Sequence, residues 1–164
     1  MSSNPRALTL PELATLASEL SGRACSARRV RYLLVSGGLG TDTQVRPHGR
    51  TRLYGSLDLA LVRVALAMQE QGASPWLTRV VLTYLRNDLV RAWKSASPLA
   101  LAVRGVQATL EPALKTAPSS TSIWIPLRAI WHGLDALVQK ASDAREEVWM
   151  YRRVKVRAVP RNTV

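Results

Sequence analysis

The side chains in this sequence best suited to chemistry are arginines set in two short clusters. Arg28, Arg29 and Arg31 stand beside Tyr32, and Arg46, Arg50 and Arg52 lead up to Tyr54. A guanidinium is planar and permanently charged. Its N–H groups form a fork that fits two phosphate oxygens or the O6/N7 edge of guanine. A nearby tyrosine hydroxyl can bond a backbone phosphate. The pattern predicts recognition of a polyanion. The charge balance agrees: 23 Lys and Arg against 11 Asp and Glu give a formal +12 over 164 residues. Such an excess is the usual footprint of a nucleic-acid binder. By itself it fits double-stranded DNA best, and also RNA or an acidic lipid surface.

Groups for covalent or metal chemistry are scarce. The single cysteine is Cys25, and the two histidines are His48 and His132. A thiol–imidazole pair between Cys25 and either histidine is the one nucleophilic arrangement on offer, and none of the acids or histidines is spaced like a known catalytic site. One Cys and two scattered His cannot make a normal zinc set within one chain. The expectation is no catalytic residue, no metal and no cofactor. A lone cysteine forms no intrachain disulfide and fits a reducing cytoplasm. The N-terminus does not read as a signal peptide, and no apolar run approaches the ~18 residues of a membrane span. A cytoplasmic protein without a membrane partner is expected.

The elements that must hold the arginines follow from periodicity and punctuation. Thr9 caps a first helix reaching Leu20, with Pro11 and Glu12 in its first turn and Leu13, Leu16, Ala17 and Leu20 on one face. Ser26 caps a second helix to about Val35. Its inward face is Val30, Leu33 and Leu34, which leaves Arg28 and Arg29 outside. Residues 40–54 lack a helical period and read as a basic hairpin turning near Pro47-His48-Gly49. Ser56 caps a third helix that Gly72 ends, and Ser74-Pro75 starts a fourth that ends near Ser95. The buried stripe expected on the fourth is Trp76, Leu77, Val80, Val81, Tyr84, Leu85, Leu89 and Trp93. After Pro98 a hairpin turns at Arg104-Gly105. A polar loop follows, then a strand at Ile123-Trp124-Ile125 and an amphipathic helix from Leu127 to Arg145 or beyond.

Helix, turn, helix, basic hairpin, helix, helix is an order that resembles the MerR-type winged helix-turn-helix DNA-binding family over residues 8–93. Cys25-Ser26-Ala27-Arg28-Arg29-Val30-Arg31-Tyr32 is similar to that family's recognition helix, commonly V-S-x-x-T-[IL]-R-Y. Arg46, Gly49, Arg52 and Tyr54 resemble its wing. Ser56-Leu57-Asp58-Leu59 and Gln71-Gly72-Ala73-Ser74 resemble the start of its next helix and the small-residue break after it. The chain departs from the pattern in a longer stretch between Ala14 and Ser26, in Arg29 and Gly38, and in one extra residue between Gly49 and Arg52.

The resemblance implies that Ser26, Arg28, Arg29, Arg31, Tyr32, Arg46, Arg50, Arg52 and Tyr54 form a DNA-binding surface. Arg31 and Tyr32 would touch the backbone or support the helix, with a core position equally open for Tyr32. Either wing arginine could instead pin the hairpin to the body, and burial at a strand end is the rival for Tyr54. Cys25 stands where a small apolar residue is usual, which favours a structural thiol.

The expected fold is mainly α: a winged helix-turn-helix over 1–95, then a small α+β region over 96–147 with a short sheet and an amphipathic helix, then a basic tail over 148–164. Trp124, Leu127, Ile130, Trp131, Leu134, Leu137 and Val138 are the expected homodimer surface, with a local core against the sheet as the alternative. The expected function is sequence-specific binding of double-stranded DNA as a dimeric transcriptional regulator. The alternatives are an architectural or excisionase-type recombination factor, and a protein-interaction adaptor whose winged domain no longer reads DNA.

Overall fold

The computed structural model describes residues 7–36 and 52–157, with side chains through Leu34 and from Arg52 to Val148. They are mostly helical, with one small antiparallel sheet. Helix α1 spans Leu10–Ser21. Its start is closed reciprocally: Thr9 N donates to Glu12 Oε2 at 2.7 Å, and Glu12 N donates to Thr9 Oγ1 at 3.5 Å. Helix α2 spans Ala27–Arg31 and runs on into a π-helical turn over Tyr32–Ser36. Helix α3 spans Ser56–Glu70. Its cap is Gly55 rather than the expected Ser56, because the buried Asp58 reaches back to accept Gly55 N at 2.9 Å.

Helix α4, Pro75–Ser95, begins at the expected cap, where Ser74 Oγ accepts from Leu77 N at 3.1 Å. Its buried face differs from the expected stripe. Thr78, Val81, Leu82, Leu85, Leu89 and Ala92 are buried, whereas Trp76, Val80 and Tyr84 face solvent. The expected stripe merged two adjacent ridges of one helix, and packing against α3 uses only one of them. Thr78 tolerates burial because its hydroxyl donates to Ser74 O at 2.9 Å within the helix.

Strands β1 (Leu99–Arg104), β2 (Gln107–Pro112) and β3 (Ile123–Pro126) form a sheet in the order β2-β1-β3. Gly105 takes φ +61 at the tip of the β1–β2 hairpin, as tight primed turns require. Leu101 and Val103 pair with Ile125 and Ile123 and enter the main core. Alternation turns Ala100, Ala102 and Trp124 to the other face, where they form a small cluster of their own. The free edge of β3 is sealed by a side chain. Gln71 Nε2 donates to Trp124 O at 2.8 Å, and Trp124 N donates to Gln71 Oε1 at 2.9 Å.

The final helix expected from Leu127 onward is broken in two. Helix α5 is Leu127–Trp131 and α6 is Leu134–Arg157. His132 is extended and Gly133 takes φ +77, so the chain changes direction between them. One continuous buried cluster runs from Leu8 to Val138, so residues on both sides of Pro98 share a core. Among the described residues, no helix is long and apolar enough to cross a membrane.

Candidate nucleic-acid interface

The presentation of α2 starts in the turn before it. Ser18 Oγ accepts from Cys25 N at 2.8 Å and donates to Ala14 O at 2.8 Å, which fixes the turn to the end of α1. Cys25 is buried there. Burial pushes its thiol up, and the charge of Arg29 pulls it back in part. Burial and packing make this thiol a poor nucleophile. Ser26 then caps α2, its Oγ accepting from Arg29 N at 3.2 Å. Ser26 is therefore committed to the helix start.

Val30, Leu33 and Leu34 are buried, as their spacing predicts. Arg28, Arg29, Arg31 and Tyr32 stand on the outer face, Tyr32 with 49% of its surface exposed. Arg29 is tethered, because its Nη2 donates to Gln69 Oε1 at the end of α3. Arg28, Arg29 and Arg31 on α2 and Tyr32 at the start of the π-helical turn are all exposed, and no acidic residue occurs between Ala27 and Ser36. Arg23, exposed in the turn, lines a shallow pocket together with Arg29, Gln69 and Glu70. Sequence reasoning passed over Arg23 because it sits in the break between helices, where no periodicity assigns a face.

The second arginine cluster is described only at its end. Arg46, Arg50 and His48, with the expected hairpin tip, lie outside the described residues. Leu8 and Tyr54 form an isolated antiparallel bridge: Leu8 N donates to Tyr54 O at 2.7 Å, and Tyr54 N donates to Leu8 O at 2.8 Å. The bridge anchors the chain just before α1 to the chain just before α3. Tyr54 is buried there, which places it as the strand-end residue of the two alternatives. Arg52 is exposed, with its guanidinium carbon 6.0 Å from the Tyr54 ring centroid. At that distance the ring attracts the cation and orients it.

The residues expected to form a dimer surface are placed inside the chain. Trp124, Leu127, Trp131, Leu134 and Val138 are buried, and Ile130 and Leu137 pack half-buried against the same core. Trp131 Nε1 donates to Ala60 O at 3.2 Å, and its ring meets Trp93 edge-on with centroids 5.4 Å apart. These side chains are spent mainly on intrachain packing, which is the local core of the two alternatives. Helix α5 packs against α3, and Trp124 is covered separately by Ala100 and Ala102 on the other face of the sheet. His132 is exposed at the break between α5 and α6. Among the described residues, no group of three His, Cys, Asp or Glu side chains is arranged to hold a metal ion.

No protein-family model, curated protein or solved structure matches this chain.

Proposed function

We propose that this chain binds double-stranded DNA in a sequence-specific manner, as a homodimeric transcriptional regulator of the cytoplasm built on a MerR-like winged helix-turn-helix. The observation that carries the reading is α2. It is short and capped, and with the π-helical turn that continues it buries Val30, Leu33 and Leu34 and presents Arg28, Arg31 and Tyr32 outward with no acid among them. A helix laid in the major groove needs such an arrangement: a fixed inner face, and an outer face of forked donors for base edges and phosphates. Arg29, tethered to Gln69, and Arg23 beside it are suited to the flanking phosphates. Arg52, oriented over Tyr54, stands where the wing would rejoin the body.

Selection of bound duplexes from a random pool tests the reading. Recovery of an inverted repeat is the expected result, whereas several phased copies of one motif would favour the architectural factor. Replacing Arg28, Arg29 and Arg52 together with alanine should abolish specific binding. An affinity left unchanged by that triple substitution would overturn the proposal and favour the adaptor.

A further inference from the structure

We propose that Glu70 competes with DNA for the phosphate seat formed by Arg23 and Arg29, and that Arg63 is the positioning residue that holds its carboxylate off them. The inference rests on the DNA-binding reading and names how its phosphate site is regulated. Arg23, Cys25, Arg29, Gln69 and Glu70 line one pocket between the α1–α2 turn and the last turn of α3. Two guanidinium groups and a carboxylate therefore share it. Among the described residues, no ion pair joins any two of the three. Arg29 donates instead to the neutral amide of Gln69, the residue before Glu70. Both arginines consequently keep their charge uncompensated, which suits an incoming phosphate.

Glu70 closes α3, where the helix dipole is negative and disfavours an acid. Its own helix therefore gains nothing from the carboxylate. The group that meets it is Arg63. Arg63 precedes Glu70 by two helical turns, about 10.5 Å along the axis and within about 20° round it, so both side chains leave α3 on one face. Arg63 is half-buried, and its Nε is buried without an acceptor. Burial pushes its guanidinium down from the ordinary value, and the charge of Glu70 pulls it back in part. A partly desolvated cation gains most from a nearby anion, so Glu70 is drawn to the Arg63 side of the pocket.

The consequence is a balance among three cations. While Arg63 holds the carboxylate, Arg23 and Arg29 are open to phosphate oxygens. Without Arg63, the same carboxylate turns to the arginines that line its pocket and neutralises the seat. A phosphate must also approach this negative charge. One that sits loosely is repelled, and one that both guanidinium groups grip is retained. Glu70 thus makes close placement of the phosphate a condition of binding.

Affinity of the full chain for a mixed-sequence duplex, read by fluorescence anisotropy, supplies one half of the test. Glu70→Gln should tighten binding roughly 3–5-fold, the scale of one exposed charge pair. Arg63→Gln should weaken it by about the same factor. Arg63→Gln/Glu70→Gln should bind as Glu70→Gln alone does. A double variant as weak as Arg63→Gln would mean that Arg63 acts only through the fold, and the proposal would be lost. Glu70→Gln binding no tighter than wild type would also sink it. The second half contains no DNA. Cys25 lines the same pocket; burial raises its thiol, and Arg29 draws it back in part. The pH midpoint of its alkylation by iodoacetamide therefore reports whether Glu70 has reached Arg29. Arg63→Gln should move that midpoint up, and the double variant should match Glu70→Gln. An unmoved midpoint in Arg63→Gln would overturn the proposal. A moved midpoint in a chain that binds no duplex would end the DNA reading and leave the hold of Arg63 on Glu70 standing.

Discussion

At the scale of single residues, the candidate interface divides into groups that face solvent and groups that hold them in place. Arg28 and Arg31 are exposed, so replacing either with alanine should leave stability within about 0.5 kcal/mol. Each replacement should weaken DNA binding. It should also make the slope of log affinity against log salt shallower by about 1 for each phosphate that is no longer neutralised. Ser26 is exposed too but caps α2. Ser26→Ala should cost roughly 0.5–2 kcal/mol in urea unfolding and reduce DNA affinity only by loosening the helix. A Ser26→Ala protein with native stability would show that the cap is not holding the helix.

The pair on the outer face of the sheet makes a pH prediction. Arg104 holds the Glu111 carboxyl, with help from Thr109, at about 2 instead of 4.5. A carboxylate depressed in this way stabilises the fold above the unfolded value, and that contribution is lost as pH falls from about 4.5 toward 2. Glu111→Gln should therefore flatten the acid limb of the unfolding profile and change nothing near neutrality beyond a constant offset. An acid limb identical in the two proteins would remove the pair from the account.

At the scale of elements, the joints between helices and sheet carry the strongest expectations. Gln71 closes the edge of β3 with two hydrogen bonds to Trp124, so Gln71→Ala should leave a strand N–H and C=O without partners and cost about 1–3 kcal/mol. Ala96 ends α4 in the left-handed region with φ 50, a conformation that crowds its methyl group. Ala96→Gly should raise the unfolding free energy by roughly 0.5–1 kcal/mol, checked in the same titration. Trp131 anchors α5 to α3 through Ala60 O and to α4 through Trp93. Its removal would open a cavity where three elements meet.

At the scale of the whole molecule, the first and last helices are tied together. Arg145, on α6, reaches Glu12 Oε2 at 2.8 Å and Ala7 O at 2.9 Å, so α6 braces the cap of α1. The helices before Pro98 and the sheet after it consequently unfold as one body, and a single transition is expected by fluorescence and circular dichroism alike. If one protomer neutralises five or six phosphates, log affinity should fall with log salt at a slope of about −5 per protomer. A clearly shallower slope would mean that the basic surface of α2 and its neighbours is not the interface.

The sequence alone determined the elements with strong local signals. Thr9 with Glu12, and Ser74 with Pro75, start α1 and α4 where capping chemistry puts them, and Gly105 turns the hairpin. Ser26 with the Val30, Leu33 and Leu34 spacing likewise defines which face of α2 carries arginines. These features depend on residues three or four apart and need no distant partner. Only the tertiary structure decided which of two neighbouring apolar ridges on α4 is buried, because both have helical periodicity and the choice belongs to α3. It also decided that Leu127, Trp131, Leu134 and Val138 are core, because the break at His132-Gly133 lets α5 and α6 pack separately, and that Trp124 is covered by Ala100 and Ala102 on the other face of the sheet. Arg28 and Arg31 were legible as candidates from sequence. That Arg29 is held by Gln69, forty residues away, and that Tyr54 is buried against Leu8 are long-range facts that no local pattern encodes.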